Sequence, residues 1–210
     1  MSGAIPQNGS AQYAFLDVGR AADASNYFYR IESVDAASNV ANSTTLAVKV
    51  RIPFLAGLNL LGMPVALTDP VFGDLMAGRA WADAWSYDAC ATGFAWSSAL
   101  PTDGTTFRLP AGRGFWLNGT ASDSAVALGF LAGTSAVHLC AGWNLIALPG
   151  FASGVTVQTL KTATGADQVM GFDPAGPYHV RASSDASVLQ TGLGYWVHVA
   201  AAVTWTVPGW

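Results

Sequence analysis

The chain repeats itself, and the repeat constrains its fold more than any other feature. Ala56-Gly57-Leu58-Asn59-Leu60-Leu61-Gly62-Met63-Pro64 recurs as Ala141-Gly142-Trp143-Asn144-Leu145-Ile146-Ala147-Leu148-Pro149, at an offset of 85 residues (59 to 144). At the same offset Leu75 falls on Leu160, and Tyr87-Asp88 on Phe172-Asp173. Further on, Gly112-Arg113-Gly114-Phe115-Trp116 matches Gly192-Leu193-Gly194-Tyr195-Trp196 at an offset of 80 (116 to 196). A net five-residue deletion between Asp173 and Gly192 reconciles the two offsets. Anchors kept in order over such a length mean two copies of one module.

Both copies share one grammar. Each opens with an apolar strand ending in proline, where a ladder must stop for want of an N–H. A short helix follows. In the first copy Asp69-Pro70 supplies a cap and a first helical residue ahead of Val71, Phe72, Leu75 and Met76; in the second it falls on Val155, Val157 and Leu160. Strands are then expected at 84–88 and 93–97, and at 168–173 and 178–182. A polar loop leads to the Gly-x-Gly-aromatic-Trp strand, and a last strand closes each unit at 125–130 and 203–207. The expected fold class is mostly β, as two duplicated β-rich modules, each with one short helix. Asn59, Asn144, Trp116 and Trp196 are the expected repeat-core residues. Each asparagine lies in an apolar run, where its buried amide must be satisfied, and loop backbone is the natural partner.

Residues 12–50 read as three strands, 12–18, 27–34 and 45–50, with turns at 21–26 and 35–42. In the middle one Tyr27, Tyr29 and Ile31 alternate, as on a half-buried antiparallel strand. Domain boundaries are therefore expected at 1–52, 53–131 and 132–210. Three strands with one apolar face leave that face and an edge open. Either a neighbouring chain or the chain's own repeats is expected to complete the sheet.

Composition removes several classes. Only 10% of residues are charged while 51% are hydrophobic, which suits neither a disordered tail nor a solvated coiled coil. Lys49 and Lys161 are the only lysines and the net charge is −4, so no basic field exists for nucleic acid. Mean hydropathy is +0.34, yet the longest nearly charge-free stretch, 124–160, is broken by Gly129, Gly133, Gly142, Pro149, Gly150 and Gly154. It reads as short strands between turns and not as a membrane-spanning helix. The start, with no basic region and no apolar run, is not a signal peptide.

Chemistry-bearing patterns are few. There is no Gly-x-Ser-x-Gly elbow and no phosphate loop, and Leu117 and Val197 stand where a dinucleotide fingerprint needs its third glycine. His138 and Cys140 share a strand face without an orienting third group, and Asp88 and Asp173, matched between copies, suit turn capping. No catalytic residue, cofactor or metal site is expected. Cys90 and Cys140 are either two buried thiols or a bridge closing a loop of about 50 residues. Trp81, Trp85, Trp96, Trp205 and Trp210 have no tryptophan counterpart in the other copy, so the module alone does not require them. They either stack on sugar rings or fill cores and subunit contacts. A sugar site needs Asp83, Asn118 or Arg181 to converge beside them.

Residues 26–39, with Tyr27 at the corner position, resemble the penultimate strand and following turn of a fibronectin type III domain, of which only the C-terminal half has a counterpart. The duplicated part resembles the Gly-Trp-Asn-Leu repeat modules of bacterial and archaeal secreted and cell-surface proteins. The second copy carries that motif as Gly142-Trp143-Asn144-Leu145, and the first has Leu58 in place of the tryptophan. The resemblance implies an extracellular or surface location, favours the Cys90–Cys140 bridge, and supplies no catalytic residues. The expected role is that of a non-enzymatic structural protein engaged in cohesion or adhesion: a self-associating filament or surface-layer subunit, or the stalk of a surface protein. A carbohydrate-binding appendage of a secreted hydrolase, with polysaccharide as partner, is the alternative.

Overall fold

The computed structural model describes residues 17–20, 23–93, 95–102, 107–174, 176 and 179–210. Ahead of the repeats lie β1 (Tyr27–Tyr29), β2 (Glu32–Val34) and β3 (Val40–Asn42). The first copy follows as β4 (Thr45–Phe54), β5 (Gly57–Gly62), β6 (Ala66–Leu67), α1 (Phe72–Leu75), β7 (Trp81–Tyr87), β8 (Trp96–Ala99), β9 (Gly114–Gly119) and β10 (Asp123–Ala132). The second runs β11 (Thr134–Leu139), β12 (Gly142–Ala147), α2 (Val157–Thr164), β13 (Gln168–Phe172), β14 (Val180–Ala182), β15 (Gly194–Val199) and β16 (Val203–Pro208). The fold is mostly β, with antiparallel sheets throughout.

The copies build the same sheet twice, in the orders β5-β9-β7-β8 and β12-β15-β13-β14. In each, the first strand of the copy lies antiparallel to the last: β4 on β10, and β11 on β16. The pairing therefore draws residues 45–52 into the first module, upstream of the boundary expected at 53. β10 and β11 are joined by Gly133 alone, and the carbonyl of Gly133 accepts a bond from the Gly209 N–H at 2.9 Å. Each module has its own core. One surrounds Phe72, Phe115, Leu117 and Ile52, and the other Leu139, Leu160, Val197 and Trp205.

The expected strand 27–34 is interrupted at Arg30 and Ile31. β1 adds to β4, while β2, the end of that expected strand, pairs with β3, which lies inside what read as a turn, in a separate exposed hairpin. Asp35 organises that hairpin, its carboxylate accepting from the Ala37 and Asn39 N–H groups at 2.9 Å each and from Asn39 Nδ2 at 2.7 Å. Of the strand expected at 12–18, residues 12–16 lie outside the described residues, and Val18 sits in a turn. The sheet left incomplete by sequence is completed by β10 of the chain's own first repeat, along the full length of β4. Lys49, on the face of β4 shared with Tyr27, is buried. Its ammonium donates to the Arg20 carbonyl at 2.7 Å and to that of Asp23, and lies 5.4 Å from the Tyr27 ring centroid.

Helix α1 starts later than expected: Asp69 Oδ1 accepts from the Val71 N–H at 3.0 Å, making a turn before the helix and not its cap. Helix α2 is capped by Thr156 and Thr159, which bond each other's backbone N–H in a reciprocal box. The motif asparagines do the same work in both copies. Asn59 Oδ1 accepts from the Leu55 N–H at 2.9 Å, and its Nδ2 donates to the carbonyls of Leu55 and Gly57 at 2.8 Å each. Asn144 repeats this with the Cys140 N–H at 2.9 Å, the Cys140 carbonyl at 2.8 Å and the Gly142 carbonyl at 3.0 Å. Asn144→Asp keeps the shape but cannot donate, so two carbonyls lose their partner. A loss of about 2–3 kcal/mol is expected from urea unfolding, and Asn59→Asp should match it. A cost within 0.5 kcal/mol of zero, roughly the range of a surface change, would show that water replaces the amide.

Candidate functional site

The two modules meet about an approximate two-fold axis. The Gly62 N–H donates to the Gly192 carbonyl at 2.9 Å, and the Ala147 N–H to the Gly112 carbonyl at 2.8 Å. These are the same bond under exchange of the copies, as are the bridges Leu61 to Leu193 and Ile146 to Arg113. Close approach of backbones requires glycine here. A Cβ on Gly114 would lie 2.7 Å from the Ile146 carbonyl oxygen, and one on Gly194 2.5 Å from that of Leu61. Leu60 and Leu145 are buried at this seam, each facing the other module's glycine.

Strand alternation fixes what each sheet shows away from its own core. In the first module the row Leu60, Trp116, Trp85, Ser98 lies beside the row Leu58, Asn118, Asp83, with Tyr87 and Trp96 beyond. In the second the corresponding rows are Leu145, Trp196, Met170, Ala182, then Trp143, His198, Gln168, with Phe172 and Val180 beyond. The axis brings the two faces together. Trp116 meets Phe172 edge-on at 4.9 Å, and Trp196 meets Tyr87 at 5.4 Å and Trp96 at 5.9 Å. Trp143 lies 5.2 Å from the His198 ring. Tyr87, Trp143, Met170 and Trp196 line an open, shallow groove across the module junction.

The motif tryptophans thus have another place than expected. Trp116 and Trp196 are half-buried, outside either core, and form the contact between modules. The unpaired tryptophans divide. Trp81 is 8% exposed and packs edge-on against Phe72 at 5.2 Å, and Trp205 is 2% exposed in the second core, so neither is a surface aromatic. Trp85 and Trp96 are exposed on the groove face, at 37% and 36%. Trp210 is half exposed and lies over Gly133.

Polar groups accompany the aromatics. Two residues after each motif tryptophan, a side chain pairs with an aspartate: Asn118 Nδ2 donates to Asp83 Oδ2 at 3.2 Å, and His198 Nδ1 lies 2.7 Å from Asp167 Oδ1. The His198 hydrogen bond holds the Asp167 carboxyl below the ordinary carboxylate range. Asp83 Oδ1 is buried with no partner among the described residues. Of the three polar side chains sought beside the tryptophans, Asp83 and Asn118 converge there. Arg181 pairs in register with Gly171 on the opposite face, and its guanidinium lies against Gly176.

Cys90, in the turn after β7, is bonded to Cys140, between β11 and β12, with their Cα atoms 5.4 Å apart. The bridge therefore crosses from one module to the other. A donor nitrogen of His138 lies within 4.8 Å of both sulfurs, but sulfurs joined to each other are no longer thiolate ligands. Nearby, burial would raise the Asp88 carboxyl, but hydrogen bonds from Arg113 and from the Cys90 N–H outweigh it and hold it low. The aspartate thus caps the turn that carries the bridge.

Sequence reasoning took Tyr87 and Phe172 only as anchors of the repeat, did not single out Met170, and did not assign Trp143 and His198 to a surface. Their signal was the alternation within the aligned copies: all lie on the same strand faces as Trp116 and Trp196. Comparison with protein-family models, with curated proteins and with solved structures finds no match to the chain.

Proposed function

We propose that the chain is a non-enzymatic extracellular structural protein, the stalk of a surface protein, whose work is cohesion. The observation that carries this reading is the Cys90–Cys140 bridge between two modules already interlocked by backbone bonds. Disulfides persist in oxidising surroundings such as the cell exterior, and this one stiffens the joint and not either copy alone. The resemblance of Gly142-Trp143-Asn144-Leu145 to repeat modules of secreted and surface proteins supports the same placement.

Between a stalk and a self-associating subunit of a filament or surface layer, the completion of the β4 sheet within the chain favours the stalk. β4 takes its neighbour from the same chain, and the sheet ends on β1 and β6, of three and two residues. Edges that short are poor templates for another chain. Light scattering of the bridged protein is expected to give 21.7 kDa at every concentration, with no fibres in negative stain. A mass that climbs with concentration, or fibres, would replace the stalk by the assembled form. Free thiols in protein taken from its native location would remove the extracellular placement.

A further inference from the structure

We propose that the groove lined by Tyr87, Trp143, Met170 and Trp196, with Trp96 packed against two of these rings and His198 and Asp167 at its edge, is a binding site for a neutral polysaccharide. The proposal goes beyond the stalk reading and does not depend on it.

The chemistry argues for a sugar. A pyranose presents C–H faces that lie against aromatic rings and hydroxyls that need donors and acceptors at the ring edge. The groove supplies both. Trp143, half-buried, lines the groove together with Tyr87 and Trp196, which touch, and the exposed Trp96 packs against both of them. On the same sheet face as Trp143, the next positions across are His198 and Gln168, and the His198 partner Asp167 is exposed. The other module carries a comparable set at positions that are only partly equivalent: Trp85, in the place of Met170, and Trp116 lie beside Asn118 and Asp83, the latter in the place of Gln168. An aromatic pair edged by a polar side chain on an aspartate therefore occurs twice, in different residues. Packing needs would account for the rings but not for this recurrence of polar partners beside them.

Charge selects the class. The carboxylates Asp83 and Asp167 flank the rings; of the cations, Lys49 is buried under Tyr27, Lys161 pairs with Asp185 at 2.7 Å, and Arg113, which donates to the Tyr87 carbonyl, is engaged with Asp88 at 3.2 Å. An acidic glycan would meet like charge, so the ligand is uncharged.

The copies themselves supply the mutants. Position 143 corresponds to Leu58 and position 96 is matched across the register by Val180, so Trp143→Leu with Trp96→Val places side chains the module already accommodates. The full bridged chain is run in native affinity gels containing hydroxyethyl cellulose, mixed-linkage β-glucan, xylan, dextran or polygalacturonate. Tryptophan fluorescence titrations with the same polymers give affinities. At least one neutral polymer is expected to retard the protein, and the double variant to bind it about tenfold or more weakly while keeping the parent's thermal midpoint. Should that variant unfold, Trp143→Leu alone carries the same test. Retention by polygalacturonate only, retention unchanged in the variant, or no retention by any neutral polymer would overturn the proposal. So would a parent dimer that the variant dissolves, which would make the groove a contact between copies.

Discussion

Gly62→Ala is expected to cost about 2–3 kcal/mol of stability, and a second change, Ala147→Gly, to recover part of it. Residues 62 and 147 are counterparts in the repeat and meet across the axis. A Cβ on Gly62 would stand 2.2 Å from the Ala147 Cβ and 2.6 Å from the Leu193 carbonyl oxygen. No side chain can rotate away from such a contact, because one partner is backbone and the other a methyl fixed to it. Overpacking of this kind typically costs 1–3 kcal/mol. Ala147→Gly alone removes one methyl from a strand and adds chain entropy, for about 1 kcal/mol. The double variant removes the contact between the two methyls and leaves the one with the Leu193 carbonyl. Urea midpoints of the four proteins should therefore give a favourable coupling of about 1 kcal/mol between the sites. A double variant that merely sums the two losses would mean that residues 62 and 147 do not meet across the axis.

Replacing Cys90 and Cys140 by alanine, or reducing their bridge, is expected to cost about 4 kcal/mol, the largest effect of any change considered. The bridge spans 50 residues, and closing a loop of that length removes about 4 kcal/mol of unfolded-chain entropy. For a chain of this size the loss corresponds to a fall in thermal midpoint of roughly 8–16 °C. Backbone bonding at both cysteines survives the change, since Asn144 and Asp88 bind the main chain at 140 and 90. The variant should thus remain folded at room temperature with its sheets intact. A mechanical readout separates the bridge from general stability. Pulled from its ends, the oxidised chain hides the segment between the cysteines, which are 50 positions apart, so reduction should add about 170 Å of contour length. An unchanged contour length would show that the bridge does not form in the folded protein.

The architecture was largely legible because a duplication doubles every signal. Two asparagines at equivalent places, each in an apolar run, marked a buried amide twice, and both bind the loop backbone in the same pattern. The strand order within a copy was not legible, since alternation states which face is buried and not which neighbour is paired. Residues 45–52 were set apart from the repeats because β4 shares no residue motif with β11; only their common pairing to a closing strand unites them. The groove was missed for a related reason. Trp116 and Trp196 looked like core because half-buried and buried tryptophans leave the same trace in a sequence. Conversely Trp81 and Trp205 looked dispensable to the fold because each copy fills that part of its core with different side chains.

The modules are joined by one residue, Gly133, and that brevity bears on recognition. Two domains on a flexible tether must be brought into register each time a ligand bridges them, and the freedom lost weakens binding. Here nothing remains to be aligned: the chain passes from β10 to β11 without a linker, the terminal strand ties back to the junction, and a covalent bond holds the far side. A surface spanning both modules is preorganised when the chain folds. Any partner lying across the junction would meet a finished face, and its affinity would be set by contact alone.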